Sequence, residues 1–155
     1  MLILIAAVGN QNQLGLDGKM PWRNKEDLQF FKEITLNNKV IFGRKTYSGL
    51  PKLINREIYI VSKTNNILNT ITNFKDFLMK HKDDDELFFI AGGQQIYEQA
   101  LDYCNILLIS RINYDGRADT FFPQFECSKY EVTTYTMNTF ILEVYVRKEY
   151  YHEYD

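Results

Sequence analysis

Phe88-Phe89-Ile90-Ala91-Gly92-Gly93-Gln94-Gln95-Ile96-Tyr97 reads as an apolar strand that breaks at a glycine pair and restarts as a helix, and this order decides the fold. Lys39-Val40-Ile41-Phe42-Gly43-Arg44-Lys45-Thr46 runs the same way, with the strand breaking at Gly43 into two cations and a hydroxyl. Leu2-Ile3-Leu4-Ile5-Ala6-Ala7-Val8 is a continuous apolar run suited to a strand buried on both faces. Strands are expected near 2–8, 39–43, 57–62, 87–91 and 105–113, and helices near 25–36, 44–49, 73–81 and 94–101. That alternation is α/β, a mostly parallel central sheet with flanking helices. Two last runs, 130–135 and 139–146, flank Thr136-Met137-Asn138 and read as an antiparallel hairpin finishing the sheet at one edge.

A chain of 155 residues fits one domain with a sizeable core. Its formal net charge of −2 gives no basic footprint for nucleic acid. The apolar start is too short to span a bilayer and has no positive leader, so it reads as a core strand and a cytoplasmic location is expected. Cys104 and Cys127 lack paired metal spacing and read as ordinary reduced thiols. His81 lies in the run Lys80-His81-Lys82-Asp83-Asp84-Asp85-Glu86, which reads as a solvated loop, and His152 lies in an aromatic tail. Neither is placed for a triad or a zinc site, so no metal is expected. Catalysis is left to a carboxylate, a hydroxyl, the backbone or a bound cofactor.

Asp27 is the carboxylate that stands out. Asn24-Lys25-Glu26-Asp27-Leu28-Gln29-Phe30-Phe31-Lys32-Glu33-Ile34 puts Asp27, Phe31 and Ile34 at i, i+4 and i+7, on one helical stripe. A buried carboxylate is costly unless something binds it, so the position asks for a ligand donor or a protein partner. There is also a local reading, which the segment taken alone favours. Asn24 can cap the helix, and an acid three residues later suits the helix dipole. Before this helix, Gly9 to Lys19 carries Gly15, Gly18 and several amides, the composition of a mobile loop, and it runs into Met20-Pro21-Trp22.

The strand ends are candidate ligand sites, because open α/β sheets bind ligands in crevices there. Gly43-Arg44-Lys45-Thr46 offers backbone donors and positive charge at a helix start, which suits a pyrophosphate. Ser62-Lys63-Thr64 ends the next strand with a cation and two hydroxyls, and Gly92-Gly93-Gln94-Gln95 allows close backbone approach. No GxGxxG is present, and each turn alone is also an ordinary strand-to-helix connection.

Together these segments resemble dihydrofolate reductase from Leu2 to about Lys148. The resemblance rests on Ile5-Ala6-Ala7, Gly15, Met20-Pro21-Trp22 followed by Asp27, Gly43-Arg44-Lys45-Thr46, Leu53 with Arg56, Gly92-Gly93 with Tyr97, and Asp119-Thr120-Phe121-Phe122-Pro123. It implies one domain over residues 1–148, with 149–155 a tail outside the pattern. The implied activity is NADPH-dependent reduction of dihydrofolate to tetrahydrofolate, by a monomer with no nucleic-acid, membrane or obligate protein partner. By the same resemblance Gly43, Arg44, Lys45 and Thr46, with Gly92, Gly93, Gln94, Gln95 and Ile96, embrace the cofactor pyrophosphate. Ser62, Lys63 and Thr64 lie beside the adenosine, Arg44 and Lys63 neutralise its 2′-phosphate, and Ala7, Leu14 and Gly15 complete the cofactor side. The peptide joining Gly92 and Gly93 is implied to be cis. Asp27 is the implied catalytic carboxylate, holding the pterin with Ser110. Ile5, Leu28, Phe31, Leu50 and Leu53 form apolar walls, Arg56 binds the glutamate α-carboxylate, and Ala6, Met20, Ala91 and Tyr97 complete the substrate side. The segment from Gly9 to Trp22 becomes a lid.

The chain departs from the family pattern in places. Ala91 stands where a larger side chain is usual, so the pocket floor is expected to be wider. Tyr47 replaces a common tryptophan, and the turn between Leu50 and Arg56 is one residue short. The final hairpin is short where some bacterial members carry a longer loop that braces the lid, so that brace is expected to be missing. A pyrimidine reductase of riboflavin synthesis shares the implied fold and cofactor, but Asp27 after Pro21-Trp22, with Arg56, argues against it. A nucleotide-binding module without turnover fits the lid and Asp27 less well, and a purely structural role has only the aromatic tail behind it.

Overall fold

The computed structural model describes residues 1–64 and 69–149. Its elements are β1 (Leu2–Val8), β2 (Gln13–Gly15), α1 (Lys25–Thr35), β3 (Lys39–Gly43), α2 (Arg44–Ser48), β4 (Glu57–Val61), β5 (Thr70–Ile71) and α3 (Phe74–His81). After these come β6 (Phe88–Ile90), α4 (Gln94–Ala100), β7 (Ile106–Ile112), β8 (Thr120–Phe121), β9 (Tyr130–Thr136) and β10 (Phe140–Arg147). An eight-stranded sheet runs β5-β4-β3-β6-β1-β7-β10-β9, and β2 with β8 makes a separate two-stranded ribbon. Pairing is parallel from β5 through β7, and antiparallel where β10 meets β7 and β9. The expected hairpin edge is therefore present.

The continuous apolar runs are explained by burial on both faces. Leu2, Leu4, Ala6 and Val8 enter one cluster with Phe74, Leu78, Ile96, Tyr97 and Ala100 of α3 and α4. Ile5, Val40, Phe42 and Phe89 enter the other, against Phe30, Phe31 and Ile34 of α1. Each fully buried aliphatic side chain contributes about 1.5–3 kcal/mol, which makes the central strands the least negotiable part of the chain. Among the described residues no helix is long and apolar enough to cross a membrane.

Asn24 caps α1 by accepting from Asp27 N at 2.9 Å, and Asn73 caps α3 from Asp76 N at 3.1 Å. The acidic run is only partly the solvated loop its sequence suggests. Asp83 and Asp85 are exposed. His81 instead is buried on the last turn of α3, its ring 4.5 Å from that of Phe77 and 4.8 Å from that of Phe88. Its Nδ1 lies 2.7 Å from an Asp84 carboxylate oxygen, which satisfies the ring nitrogen locally. His152 and most of the tail lie outside the described residues, as do residues 65–68.

Candidate active site

α1 lies across the sheet face lined by Ile5, Phe42 and Phe89, and its apolar stripe carries Asp27 inward as the spacing of residues 27, 31 and 34 requires. Asp27 is 7% exposed, while Phe31 and Ile34 are half-buried on the same stripe. Ser110, 2% exposed, shares its face of β7 with Leu108 and Ile112, and its hydroxyl acts on the Asp27 carboxyl. Burial is the main cause pushing the Asp27 carboxyl above its ordinary range, the Ser110 hydroxyl opposes it, and the charge of Glu26 adds to the rise. The capping function belongs to Asn24, so the Asp27 side chain is free of that duty.

The predicted cofactor turns converge beyond the C-terminal ends of β3, β4 and β6. Gly43 pairs with Val61 at the ends of β3 and β4, which puts Arg44 beside Ser62 and Lys63, and both cations are exposed. Gly43 N donates to Gly92 O at 2.8 Å, joining the first and third turns. The Gly92–Gly93 peptide is cis. A methyl on Gly93 would stand 2.8 Å from the Thr46 hydroxyl oxygen, and one on Gly43 would stand 3.0 Å from Ile96 Cγ1. The starts of α2 and α4 are thus packed as closely as bare backbone permits. Neither start carries a side-chain cap, in contrast to α1 and α3, so first-turn N–H groups remain to meet an anion. Lys45 and Gln95 are exposed beside these starts, and Ser62 Oγ accepts from Thr64 N at 3.3 Å to shape the middle turn. Gln94 turns its oxygen away, accepting from Phe121 N at 2.8 Å.

The segment from Gly9 to Trp22 is tied down at several points that its composition does not announce. Asp119 N donates to Gly15 O at 2.9 Å, and Asp17 N donates to the Asp119 carboxylate at 3.0 Å. Leu14 packs against the α3/α4 cluster. At the base, Arg111 donates to Gly9 O at 3.0 Å and to Asn12 Oδ1 at 2.8 Å, while its other terminal nitrogen pairs with Glu143 at 3.0 Å. Just past the segment, the last hairpin holds the start of α1: Glu26 accepts from Thr139 N at 2.7 Å and Asn24 Nδ2 donates to Thr139 O at 3.2 Å. These hairpin contacts fall on the start of α1, outside residues 9–22.

Other predicted residues fall in three groups. Ile5, Ala7, Phe31, Leu53 and Ala91 lie on the Asp27 face of the sheet. Met20, Leu28 and Leu50 are exposed at 44%, 46% and 38%, so they rim the cleft rather than line its floor. Ala6 is placed differently from its neighbours in β1. Its methyl enters the opposite cluster, because alternation along β1 sends residues 5 and 7 one way and 6 the other, so only its backbone can face the cleft. Tyr97 also belongs to that opposite cluster and reaches the site indirectly, its phenol donating to Ile5 O at 2.7 Å. Burial first, and then the Asp27 charge, push the Tyr97 phenol far above its ordinary range, so it stays a neutral donor. Arg56 uses Nε on Thr35 Oγ1 at 3.3 Å, one terminal nitrogen on Lys32 O at 2.6 Å and the other on Ile54 O. One N–H remains on each terminal nitrogen, which is the pair a carboxylate needs.

A family model described as dihydrofolate reductase matches residues 1–140. The dihydrofolate reductase of Mycoplasma genitalium is 33% identical to this chain over 131 residues, 78% of this chain and 82% of that one. The dihydrofolate reductase of Buchnera aphidicola subsp. Schizaphis graminum is 31% identical over 142 residues, 88% of either chain. Among solved structures, dihydrofolate reductase from Enterococcus faecalis, complexed with NADP(H) and RAB-propyl, matches with a TM-score of 0.83 and 26% identity over 96% of both chains.

Proposed function

The chain belongs to the dihydrofolate reductase family, and from that premise we propose that Asp27 and Ser110 hold the pterin while the turns after β3, β4 and β6 hold the cofactor. The enzyme reduces dihydrofolate to tetrahydrofolate with NADPH. The observation that carries the site assignment is the buried Asp27 carboxylate, with the buried Ser110 on the same sheet face, next to these turns.

Asp27 accepts from the 2-amino group and ring N–H of the pterin, a bidentate contact that fixes the ring's orientation. When bound, NADPH would supply the hydride for C6 of the pterin, with a proton added at N5. The carboxylate need not touch N5, since a negative charge on the far side of the ring raises the ring's proton affinity while water delivers the proton. Ile5, Phe31 and Leu53 form the walls, Met20, Leu28 and Leu50 exclude water at the rim, and Arg56 takes the glutamate α-carboxylate through its two remaining N–H groups. The uncapped starts of α2 and α4 would donate to the pyrophosphate, and Arg44 with Lys63 would hold the 2′-phosphate. All of this sits in one domain, residues 1–148, which we read as a monomeric cytoplasmic enzyme. Its net charge of −2 supports the absence of a nucleic-acid partner.

The test is NADPH oxidation by the purified chain with and without dihydrofolate, repeated for Asp27→Asn. Dihydrofolate-dependent oxidation that collapses in the variant is the expected result. Oxidation independent of dihydrofolate would overturn the substrate, and an unaffected variant would overturn the site.

A further inference from the structure

The clamp between α1 and the β9–β10 turn is more elaborate than a helix start requires. Glu26 is the second residue of α1, where a carboxylate commonly serves the helix's own first-turn N–H groups. Here it reaches out of the helix. It accepts from Asn138 N at 3.2 Å, Thr139 N at 2.7 Å and the Thr139 hydroxyl at 2.6 Å. That hydroxyl also lies 3.1 Å from Asn24 Oδ1, the oxygen that caps Asp27 N. With one proton to give, it favours the charged acceptor, where the hydrogen bond is stronger. Asn24 Nδ2 closes the arrangement on Thr139 O at 3.2 Å.

The partner side of the clamp is tied to the site as directly as the helix side. Thr139 immediately precedes β10, in which Phe140 pairs with Ile112 and Leu142 pairs with Ser110. Phe140 also meets Phe30 of α1, ring centroids 6.2 Å apart. Asp27 and Ser110 therefore sit on two elements joined through Thr139, one by side-chain hydrogen bonds and one by sheet pairing.

We propose that Glu26 and Thr139 are positioning residues: the β9–β10 turn anchors the Glu26 carboxylate at the start of α1, and this sets the placement and charge environment of Asp27 against Ser110. The proposal rests on the assignment of Asp27 as the site carboxylate. The Thr139 hydroxyl, more than any other contact, holds the Glu26 carboxyl below its ordinary range, so the anchored group is an anion throughout the working pH range. That anion contributes to the upward shift of Asp27.

The other groups around Asp27 do not duplicate this influence. From β7 the neutral Ser110 hydroxyl acts on it, and the phenol of Tyr97 in α4, which feels its charge from the opposite cluster, is also neutral. Arg111 of β7 and Glu143 of β10 pair with each other, and alternation puts Arg111 on the strand face opposite Ser110. Arg23 and Lys25, beside the helix start, are exposed to solvent, and Lys32 and Arg56 meet at the far end of α1. Glu26 is thus the charge held in place near Asp27 by a device of its own.

The experiment follows the Asp27 side-chain carboxyl by carbon-13 NMR titration in the full-length protein. It compares wild type, Glu26→Gln, Thr139→Val and Thr139→Ser, alongside the pH profile of single-turnover hydride transfer. Glu26→Gln should move the Asp27 titration and the alkaline limb of the rate profile to lower pH. Rates on that limb should fall by about two- to threefold, the scale of a water-screened unit charge at neighbouring helix positions. Thr139→Val should move both in the same direction by less, because the anion remains but is no longer held. Thr139→Ser, which keeps the hydroxyl, should restore wild-type behaviour. An unmoved Asp27 titration in both Glu26→Gln and Thr139→Val overturns the proposal, even if either variant melts earlier. Failure of the underlying site assignment looks different: the rate profile would then be insensitive to Asp27→Asn, while the NMR titration would still decide whether the clamp acts on Asp27.

Discussion

Replacing Asp27 with asparagine separates the two roles a buried carboxylate can play, because the side chain keeps its shape and can still accept a hydrogen bond. What disappears is the charge. Two opposite unit charges about 4 Å apart at an effective dielectric near 20 interact by about 4 kcal/mol, or roughly 10³-fold in rate if the ring is cationic in the transition state. Loss of a general acid–base group costs about 10²–10⁴-fold, so hydride transfer near neutral pH should fall by at least about 10²-fold. The loss should shrink as the pH is lowered, because solvent then protonates the ring unaided. Stability should move the other way. Burial raises the folded-state pKa of Asp27, so the native protein binds more protons than the unfolded chain in the window above the ordinary carboxylate value. Stability linked to this group is then present at low pH and lost as pH rises through the folded pKa. Asp27→Asn removes that loss, and its Tm should exceed that of wild type at neutral pH, with the gap narrowing in acid. Stopped-flow NADPH absorbance and thermal melts across pH read both effects. Wild-type turnover at neutral pH would sink the mechanism, and a lower Tm at neutral pH with no pH dependence would show that the carboxylate is a structural anchor.

The remaining predictions concern the cofactor turns and the pocket floor. Removing both Arg44 and Lys63 should weaken NADPH by about 10²-fold and leave NADH nearly unchanged, since hydrogen bonds to charged groups are worth about 1.5–3 kcal/mol each; equal loss for both cofactors, by fluorescence titration, would move the adenosine elsewhere. Gly93→Ala puts a methyl 2.8 Å from the Thr46 hydroxyl oxygen and should weaken NADPH about tenfold through a displaced donor, with little change in Tm. Unaltered affinity would mean that these turns do not bracket the pyrophosphate. Ala91→Ile should tighten a tailless diaminopyrimidine inhibitor by about tenfold, the worth of a methylene in an apolar pocket, more than it tightens a glutamate-bearing antifolate also held through Arg56; no gain for the tailless compound would show that a neighbour already fills the space.

What could be read from the sequence was whatever imposes a local period or composition. β1 and β3 announced themselves because both of their faces are buried, which turns alternation into continuous apolar runs. Asp27 was legible because Phe31 and Ile34, at helical spacing, share its stripe. β2, β5 and β8 were not, being two or three residues long and defined by partners far away, such as Gln13 against Phe121. Ala6 shows what a motif leaves unsaid. Alternation along β1 already separates it from Ile5 and Ala7, yet a motif match treats the triplet as one unit and passes over that parity.

The clamp was beyond reach for a third reason. Glu26 and Thr139 are 113 residues apart, and two of the three donors that fix the carboxylate, Asn138 N and Thr139 N, are backbone groups that any non-proline residue would supply. Sequence therefore registers only the length of that hairpin, which says nothing of the contact. The tight turn instead leaves two consecutive N–H groups and a hydroxyl facing one carboxylate. A longer loop would have to order more residues to present the same three donors, at about 1–2 kcal/mol of backbone entropy each, so shortness here favours the contact.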